Sequence, residues 1–270
     1  MKNNVAVIQM TSCANVTENL KKVETLLALA ASKQVRLAVL PENFAFMGLN
    51  ESDKLALAET YMSGPIQLAI SQMAKKYRLW IVAGTIPLAS DDPARCYASC
   101  LVFNSEGECV LRYDKMHLFD VQVSSSESHK ESNSTCAGTQ LKVIDTPVGR
   151  IGLSVCYDVR FPEFYRQLRE LGADILIVPA AFTFDSGKVH WHTLLKARAI
   201  ENLSYVLAAN QGGEHQNGRK TYGHSMIISP WGNVETSCNE SEVTIAIAAI
   251  DIERMIRTRE TFPCLNHRKL

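Results

Sequence analysis

Three residues of different chemistry stand where apolar runs give out: Glu42 in LPENF, Lys115 in RYDKMHLFD and Cys156 in RIGLSVCYDVRFPEF. The run Arg150–Val155 reads as a strand, and Pro162 sits where a helix would begin, since a first-turn residue needs no N–H partner. A thiol on such a bend projects beyond the sheet edge, with backbone N–H groups just past it to hold an oxyanion. The helix dipole there favours thiolate, which is the attacking species. A nucleophile also needs a base. Glu42 follows an apolar strand as Cys156 does, so both lie at C-terminal strand ends, where open α/β sheets place ligands. A carboxyl buried there is expected to have a raised pKa and to accept and donate protons. Lys115 adds an ammonium that stays charged at neutral pH and steadies a developing oxyanion. Taken singly, each has an ordinary alternative: an inert buried thiol, a solvent-facing glutamate and a surface lysine.

Taken together, they resemble the nitrilase superfamily of carbon–nitrogen hydrolases, marked by a Glu–Lys–Cys triad in this chain order. Here 73 positions separate Glu42 from Lys115 and 41 separate Lys115 from Cys156. The resemblance runs from VAVIQM to the final NHRK, and KMHLFDV, KESNSTCAG, CYDVRFPE, HWHTLLKARAIEN and YGHSMIISPWGNV resemble the Nit branch. It implies a cysteine-dependent amidase that converts a small-molecule amide to acid and ammonia through a thioester. Deaminated glutathione is the expected substrate. An ω-amidase acting on 2-oxo acid amides such as 2-oxoglutaramate, or an N-carbamoyl amino acid hydrolase, stays open beside it. An inactive scaffold or binding protein with the same fold is the alternative of another class, and the intact triad argues against it.

The resemblance also assigns roles. Glu42 takes the Cys156 proton, later protonates the leaving nitrogen, and then activates water. Lys115 and the Tyr157 N–H hold the oxyanion. Glu131, in KESNST, matches a second glutamate placed beside the lysine and the substrate; its alternative is a charge in a solvated loop. Arg160, four residues after Cys156, matches a position where relatives meet a substrate carboxylate, with a structural ion pair as the alternative. Tyr157, Phe182 and His190 are further substrate-binding candidates; for Tyr157, Phe182 and Trp191 alike the alternative to a pocket wall is core packing, which is the default. His129 and Lys130, beside Glu131, either set specificity or face solvent. His190 and His192 are two apart on a helix and do not share a face, which argues against a chelating pair. Neither metal nor organic cofactor is implied, and the partners expected are a small-molecule amide and further copies of the chain, as a homodimer or larger homo-oligomer.

The elements that must position these residues are legible in outline. Apolar runs at Val5–Met10, Leu37–Glu42, Leu79–Ile86, Tyr97–Asn104, Glu108–Lys115 and Arg150–Val155 read as strands, with a hairpin at Ser105–Gly107. LKVIDT, DILIVPA, SYVLAAN, HSMIIS, NVETS and VTIAIAAI continue the strand pattern. Helical spacing covers Asn15–Lys33, a segment from Gly64-Pro65 to Tyr77, one from Pro162, and about Lys188–Asn202. Asp120–Gly138 is polar and Ser-rich, with few signs of regular structure. The alternation suggests a mixed α/β sandwich. The resemblance narrows this to a four-layer α–β–β–α sandwich, expected as one domain over residues 1–270.

Composition sets the outer bounds. The 270 residues carry 28 Lys+Arg against 28 Asp+Glu, which argues against an electrostatic nucleic-acid binder or a polybasic membrane-surface protein. No apolar run approaches the ~20 residues of a bilayer span, and the opening MKNNVAVIQM does not read as a signal peptide. Eight cysteines without a secretory segment or tight Cys-x-x-Cys spacing suggest free thiols and a cytoplasmic location.

Overall fold

The computed structural model describes residues 3–123 and 128–269. In chain order its first half gives β1 (Asn3–Gln9), α1 (Val16–Ser32), β2 (Val35–Val39), a 3₁₀ turn at Glu51–Leu57, α2 (Pro65–Tyr77), β3 (Trp80–Ala89), β4 (Cys96–Phe103) and β5 (Cys109–Asp114). Short strands β6 (Asp120–Gln122), β7 (Ser128–Lys130) and β8 (Thr135–Cys136) follow. The second half gives β9 (Val143–Thr146), β10 (Gly149–Leu153), a 3₁₀ helix at Cys156–Arg160, α3 (Pro162–Glu170), β11 (Ile175–Ala180), α4 (Phe184–Asn202) and β12 (Tyr205–Asn210). It closes with β13 (Gly212–Glu214), β14 (Lys220–Tyr222), β15 (Met226–Ile228), β16 (Val234–Ser237), β17 (Thr244–Ile250) and α5 (Ile252–Thr261).

Two sheets form the middle of the molecule. The first runs β17-β1-β2-β3-β4-β5, with β8 paired to β4; the second runs β16-β15-β12-β11-β10-β9. The period of two along each strand of the first sheet sends alternate residues to different cores. Val5 and Val7 of β1, Leu37 and Val39 of β2, Val82 of β3, and Cys100 and Val102 of β4 face the second sheet. Their neighbours Ala6, Ile8, Ala38, Ile81, Ala83, Leu101 and Phe103 pack under α1 and α2 instead. The central strand β11 of the second sheet is buried on both faces and reads as one unbroken apolar run, ILIVPA. Helices α3 and α4 cover the sheet's outer face with Phe164, Tyr165, Leu168, Trp191, Leu195 and Ala199. The result is the expected four-layer α–β–β–α order.

Local signals explain the helix starts. The Asn15 side chain accepts the Glu18 N–H at the head of α1, and Pro65 and Pro162 open α2 and α3. Helix α4 begins at Phe184 rather than about Lys188. Ser186 and Gly187 weaken helical spacing in the sequence, yet Gly187 is needed there, because a Cβ would fall 2.3 Å from that of Tyr222. Asp120–Gly138 is more ordered than its composition suggests: β6 and β7 pair antiparallel from Asp120↔Lys130 to Gln122↔Ser128, and β8 joins β4. Residues 124–127 of that Ser-rich stretch lie outside the described residues. Helix α5 went unforeseen because its sequence, IERMIRTRET, buries only Met255. All eight cysteines are free.

Candidate active site

Three strand ends converge on one point, and small residues let them come close. Beyond β2, Leu40 still donates to Val82 O (2.9 Å) before the chain breaks at Pro41 and delivers Glu42. A Cβ on Gly84 would lie 1.9 Å from Pro41 O, so that approach requires glycine. Asn43 then takes a left-handed turn at φ 57° with its N–H on Thr85 Oγ1 (2.8 Å), and Gln211 Nε2 donates to Glu42 O (2.9 Å). Lys115 follows β5 directly, with its N–H on Ala98 O (3.0 Å) and its carbonyl accepting Gly138 N–H (2.8 Å).

Cys156 lies just past β10 at φ 46°. This left-handed conformation is costly for a residue with a Cβ and is held only where the surroundings fix it. Asp158, fully buried, does much of the fixing. Its carboxylate accepts Val155 N–H (2.7 Å), Tyr113 O–H (2.6 Å) and His117 N–H (3.1 Å), and pairs with His117 Nδ1 (2.6 Å). His117 stacks on Phe161 at 3.7 Å. The bend carrying the thiol is thereby tied to the segment carrying Lys115.

The side chains meet in a closed set. Lys115 Nζ donates to Glu42 Oε1 (2.9 Å) and to Glu131 Oε2 (2.9 Å) and Oε1 (3.1 Å). Glu42 Oε2 accepts Ala181 N–H (2.8 Å), and the Glu42 charge acts on the Cys156 thiol. Glu131 Oε2 accepts Phe119 N–H (2.7 Å). Exposure is 2% for Lys115, 5% for Glu42 and 8% for Cys156. The structure thus brings Glu42, Lys115, Cys156 and Glu131 together.

Electrostatics in this set reverse two expectations. Burial alone would raise the Glu42 pKa, but the Lys115 charge and hydrogen bond, with the Arg219 charge, hold it below its ordinary value. Burial likewise disfavours the Lys115 charge, yet Glu131 and Glu42 keep it well above the usual lysine value. For Cys156, burial and then the Glu42 charge push the thiol far above its usual range, against the pull of Lys115. The resting site is therefore a protonated thiol beside an ionised carboxylate, not a preformed thiolate beside a neutral acid. A five-residue 3₁₀ helix offers too little dipole to offset Glu42.

This set opens into a cavity of about 960 Å³. Tyr157, Arg160 and Phe182 line it, as do His129 and Lys130. Arg160 lies over the Phe182 ring at 5.2 Å and near that of Tyr157 at 5.8 Å; no carboxylate pairs with it among the described residues. Two candidates sit elsewhere. His190 is exposed on α4 and reaches the site only through Arg160 Nη1 (3.2 Å). Trp191 is core, with its ring behind Phe182 at 5.1 Å and its N–H on His224 O (2.9 Å). Sequence reasoning passed over Arg219 and Lys54, which also line the cavity; both come from polar segments without apolar periodicity. The acid in CYDVR, Asp158, was the other omission, and its position two residues from the thiol was the available signal.

A family profile described as carbon-nitrogen hydrolase matches residues 4–260. The chain belongs to the carbon–nitrogen hydrolase family. A deaminated glutathione amidase of Synechocystis is 43% identical to this hydrolase over 266 residues, 97% of each chain. Among solved structures, the Caenorhabditis elegans NitFhit protein superposes with a TM-score of 0.90 at 37% identity, over 99% of this hydrolase and 65% of that longer chain. Saccharomyces cerevisiae Nit3, of the nitrilase superfamily, gives 0.86 at 29% identity, over 97% and 94%. The hydrolase is thus an amidase of the nitrilase superfamily. Among its described residues no helix is long and apolar enough to cross a membrane.

Proposed function

We propose that this hydrolase cleaves deaminated glutathione, with Cys156 as nucleophile, Glu42 as general base and acid, and Lys115 as oxyanion partner. The observation that carries the chemistry is Glu42 held in place by Lys115 and Ala181 N–H, with its charge acting on the Cys156 thiol. The substrate reading draws on the names of relatives that match nearly the whole chain.

The substrate's own chemistry corrects one expectation. Deaminated glutathione is glutathione with a keto oxygen in place of its amino group, and it has no primary amide. Cleavage at the former γ-glutamyl bond releases the dipeptide Cys-Gly as an amine, not ammonia. Ammonia belongs to the ω-amidase reading, where 2-oxoglutaramate is the substrate.

In the first step Cys156 Sγ bonds to the amide carbon as its proton passes to Glu42. Lys115 Nζ and the Tyr157 N–H face the charge that develops on the carbonyl oxygen. Glu42 returns the proton to the amide nitrogen, the C–N bond breaks, and Cys-Gly departs, leaving a thioester. Glu42 then takes a proton from water, whose oxygen attacks the thioester carbon. Cys156 leaves with a proton and 2-oxoglutarate is released. Each step uses protein groups and water alone. Glu131, bidentate on Lys115, orients the ammonium. We further place the enzyme in the cytoplasm, consistent with its eight free thiols, and as a homodimer or larger homo-oligomer. Exposed Trp231 in contact with exposed Phe262 supports the latter, and light scattering of the purified protein tests it.

Mass spectrometry of 2-oxoglutarate and Cys-Gly, with Cys156→Ala as control, tests the reaction. Efficient Cys-Gly release that Cys156→Ala abolishes supports the reading. Ammonia from 2-oxoglutaramate at far higher kcat/KM moves the function to ω-amidase. Cleavage undiminished in Cys156→Ala overturns the mechanism.

A further inference from the structure

Two guanidinium groups line the cavity, and their settings differ. Arg160 rises from the 3₁₀ helix that starts at Cys156, on the nucleophile's side. Arg219 comes from the hairpin β13–β14 and approaches the opposite partner. Its Nη2 donates to Ala181 O (2.7 Å), while the N–H of the same residue donates to Glu42 Oε2 (2.8 Å). Arg219 therefore sits on the side of Glu42, the group that must hand a proton to the departing nitrogen. The leaving half of the substrate lies on that side as a matter of reaction geometry.

Among the described residues Arg219 has no ion-pair partner within 4 Å, its Nε has no hydrogen-bond partner, and Nη1 makes no hydrogen bond. Glu51 and Lys54 stand in the same wall of the cavity. Glu51 is bonded to His129 (3.4 Å), and Lys54 to Thr135 Oγ1 (2.7 Å). A half-buried guanidinium with spare donors and no carboxylate in direct contact, although its charge reaches Glu42 and Glu51, is suited to an anion that arrives with the substrate. The leaving Cys-Gly ends in such an anion. Two extended residues put its carboxylate about 7 Å from the scissile nitrogen, a span that keeps it inside a cavity of about 960 Å³.

We infer that Arg219 binds the terminal carboxylate of the leaving half of the substrate and selects amides whose amine carries one. This rests on the deaminated glutathione reading and sharpens it. Arg160 would serve the acyl half, so the two arginines divide the molecule at the bond that breaks.

The test compares deaminated glutathione with its analogue capped as a neutral glycine N-methylamide, following 2-oxoglutarate from both. Wild-type enzyme is expected to prefer the free acid by about tenfold or more in kcat/KM, chiefly through KM, the scale of one charge-assisted pair. In Arg219→Gln that preference collapses towards one, and Arg219→Lys restores part of it. A purely structural role for Arg219 lowers both substrates by one factor and leaves the ratio intact; that result overturns the inference. So does a wild-type enzyme that cleaves both equally, which would leave the proposed function standing. A wild-type enzyme that cleaves neither removes the substrate reading and this inference with it.

Discussion

Two groups of residues in the cavity are built on opposite plans. Around the thiol, Lys115 is shared between Glu42 and Glu131, Glu42 is also held by a backbone N–H, and Asp158 behind them accepts four contacts. Nothing there waits for a ligand except the reacting atoms. Among the other residues that line the cavity, Arg160 rests on aromatic faces and a histidine, and Arg219 on one carbonyl. One group is satisfied within the protein, and under the proposed function the other is completed by the substrate. Chemistry that must find charges already in place needs the first arrangement, because a preorganised field costs nothing at the moment of reaction. Recognition of a charged ligand needs the second, because an arginine already paired would have to break that bond first.

Perturbing the satisfied group should give the largest effects. Cys156→Ala is expected to lower kcat/KM by at least about 10⁴-fold, and Glu42→Gln by about 10³-fold or more. The double variant should be scarcely worse than Cys156→Ala, because nucleophile and base act as a unit. Additive losses in steady-state kinetics would break that coupling.

Lys115→Met should damage stability as well as rate. It leaves two buried carboxylates facing each other without their cation, a loss of about 3–5 kcal/mol for breaking a buried pair. Calorimetry should show this as a lower Tm, by about 10 °C. A variant as stable as wild type would mean the carboxylates are solvated after all.

The protonation states predict a pH profile. The folded-state pKa of Glu42 lies below its ordinary value of 4.5, so the ionised base persists down to below that pH. By linkage, the stability it contributes is present above the unfolded value and is lost as pH falls through the lower folded one. The acid limb of kcat/KM should therefore fall below about pH 4.5, with no rise near neutrality from thiol ionisation. Alkylation of Cys156 by iodoacetamide should share this profile and vanish in Glu42→Gln, while ordinary thiols slow about tenfold for each pH unit below their pKa. Labelling that rises steadily with pH through 9 would show that the thiol ionises alone.

The smallest effect belongs to the recognition group's periphery. His190→Ala, which removes only a partner of Arg160, is expected to raise KM about two- to threefold at unchanged kcat. A fall in kcat instead would place His190 among the groups that feel the transition state.

What the sequence reveals follows the same division. Glu42, Lys115 and Cys156 each follow a strand-like run, but singly each has an ordinary alternative; their chain order and flanking motifs, which resemble the nitrilase superfamily, make them legible. Arg219 lies in EHQNGRK, where Gly and Asn punctuate a polar hairpin and nothing marks one cation above another. Helix α4 lost its first turn to Gly187, whose missing side chain answers to Tyr222, 35 residues away. Helix α5 buries too little to show a periodicity. The pKa directions were misread for a related reason: the sequence supplies the burial of Glu42, but only the fold supplies the distance to Lys115.

The first sheet carries a consequence for how the protein is made. Strand β1 lies inside that sheet, and its antiparallel neighbour is β17, from Asn3↔Ile250 to Gln9↔Thr244. On the ribosome one edge of β1 must stay unpaired while more than two hundred residues are added, at about 5–20 residues per second. For those tens of seconds an apolar strand presents open backbone donors and acceptors, the kind of edge that recruits other chains. The β1 edge of this sheet is thus closed only once β17, the last strand, has been made.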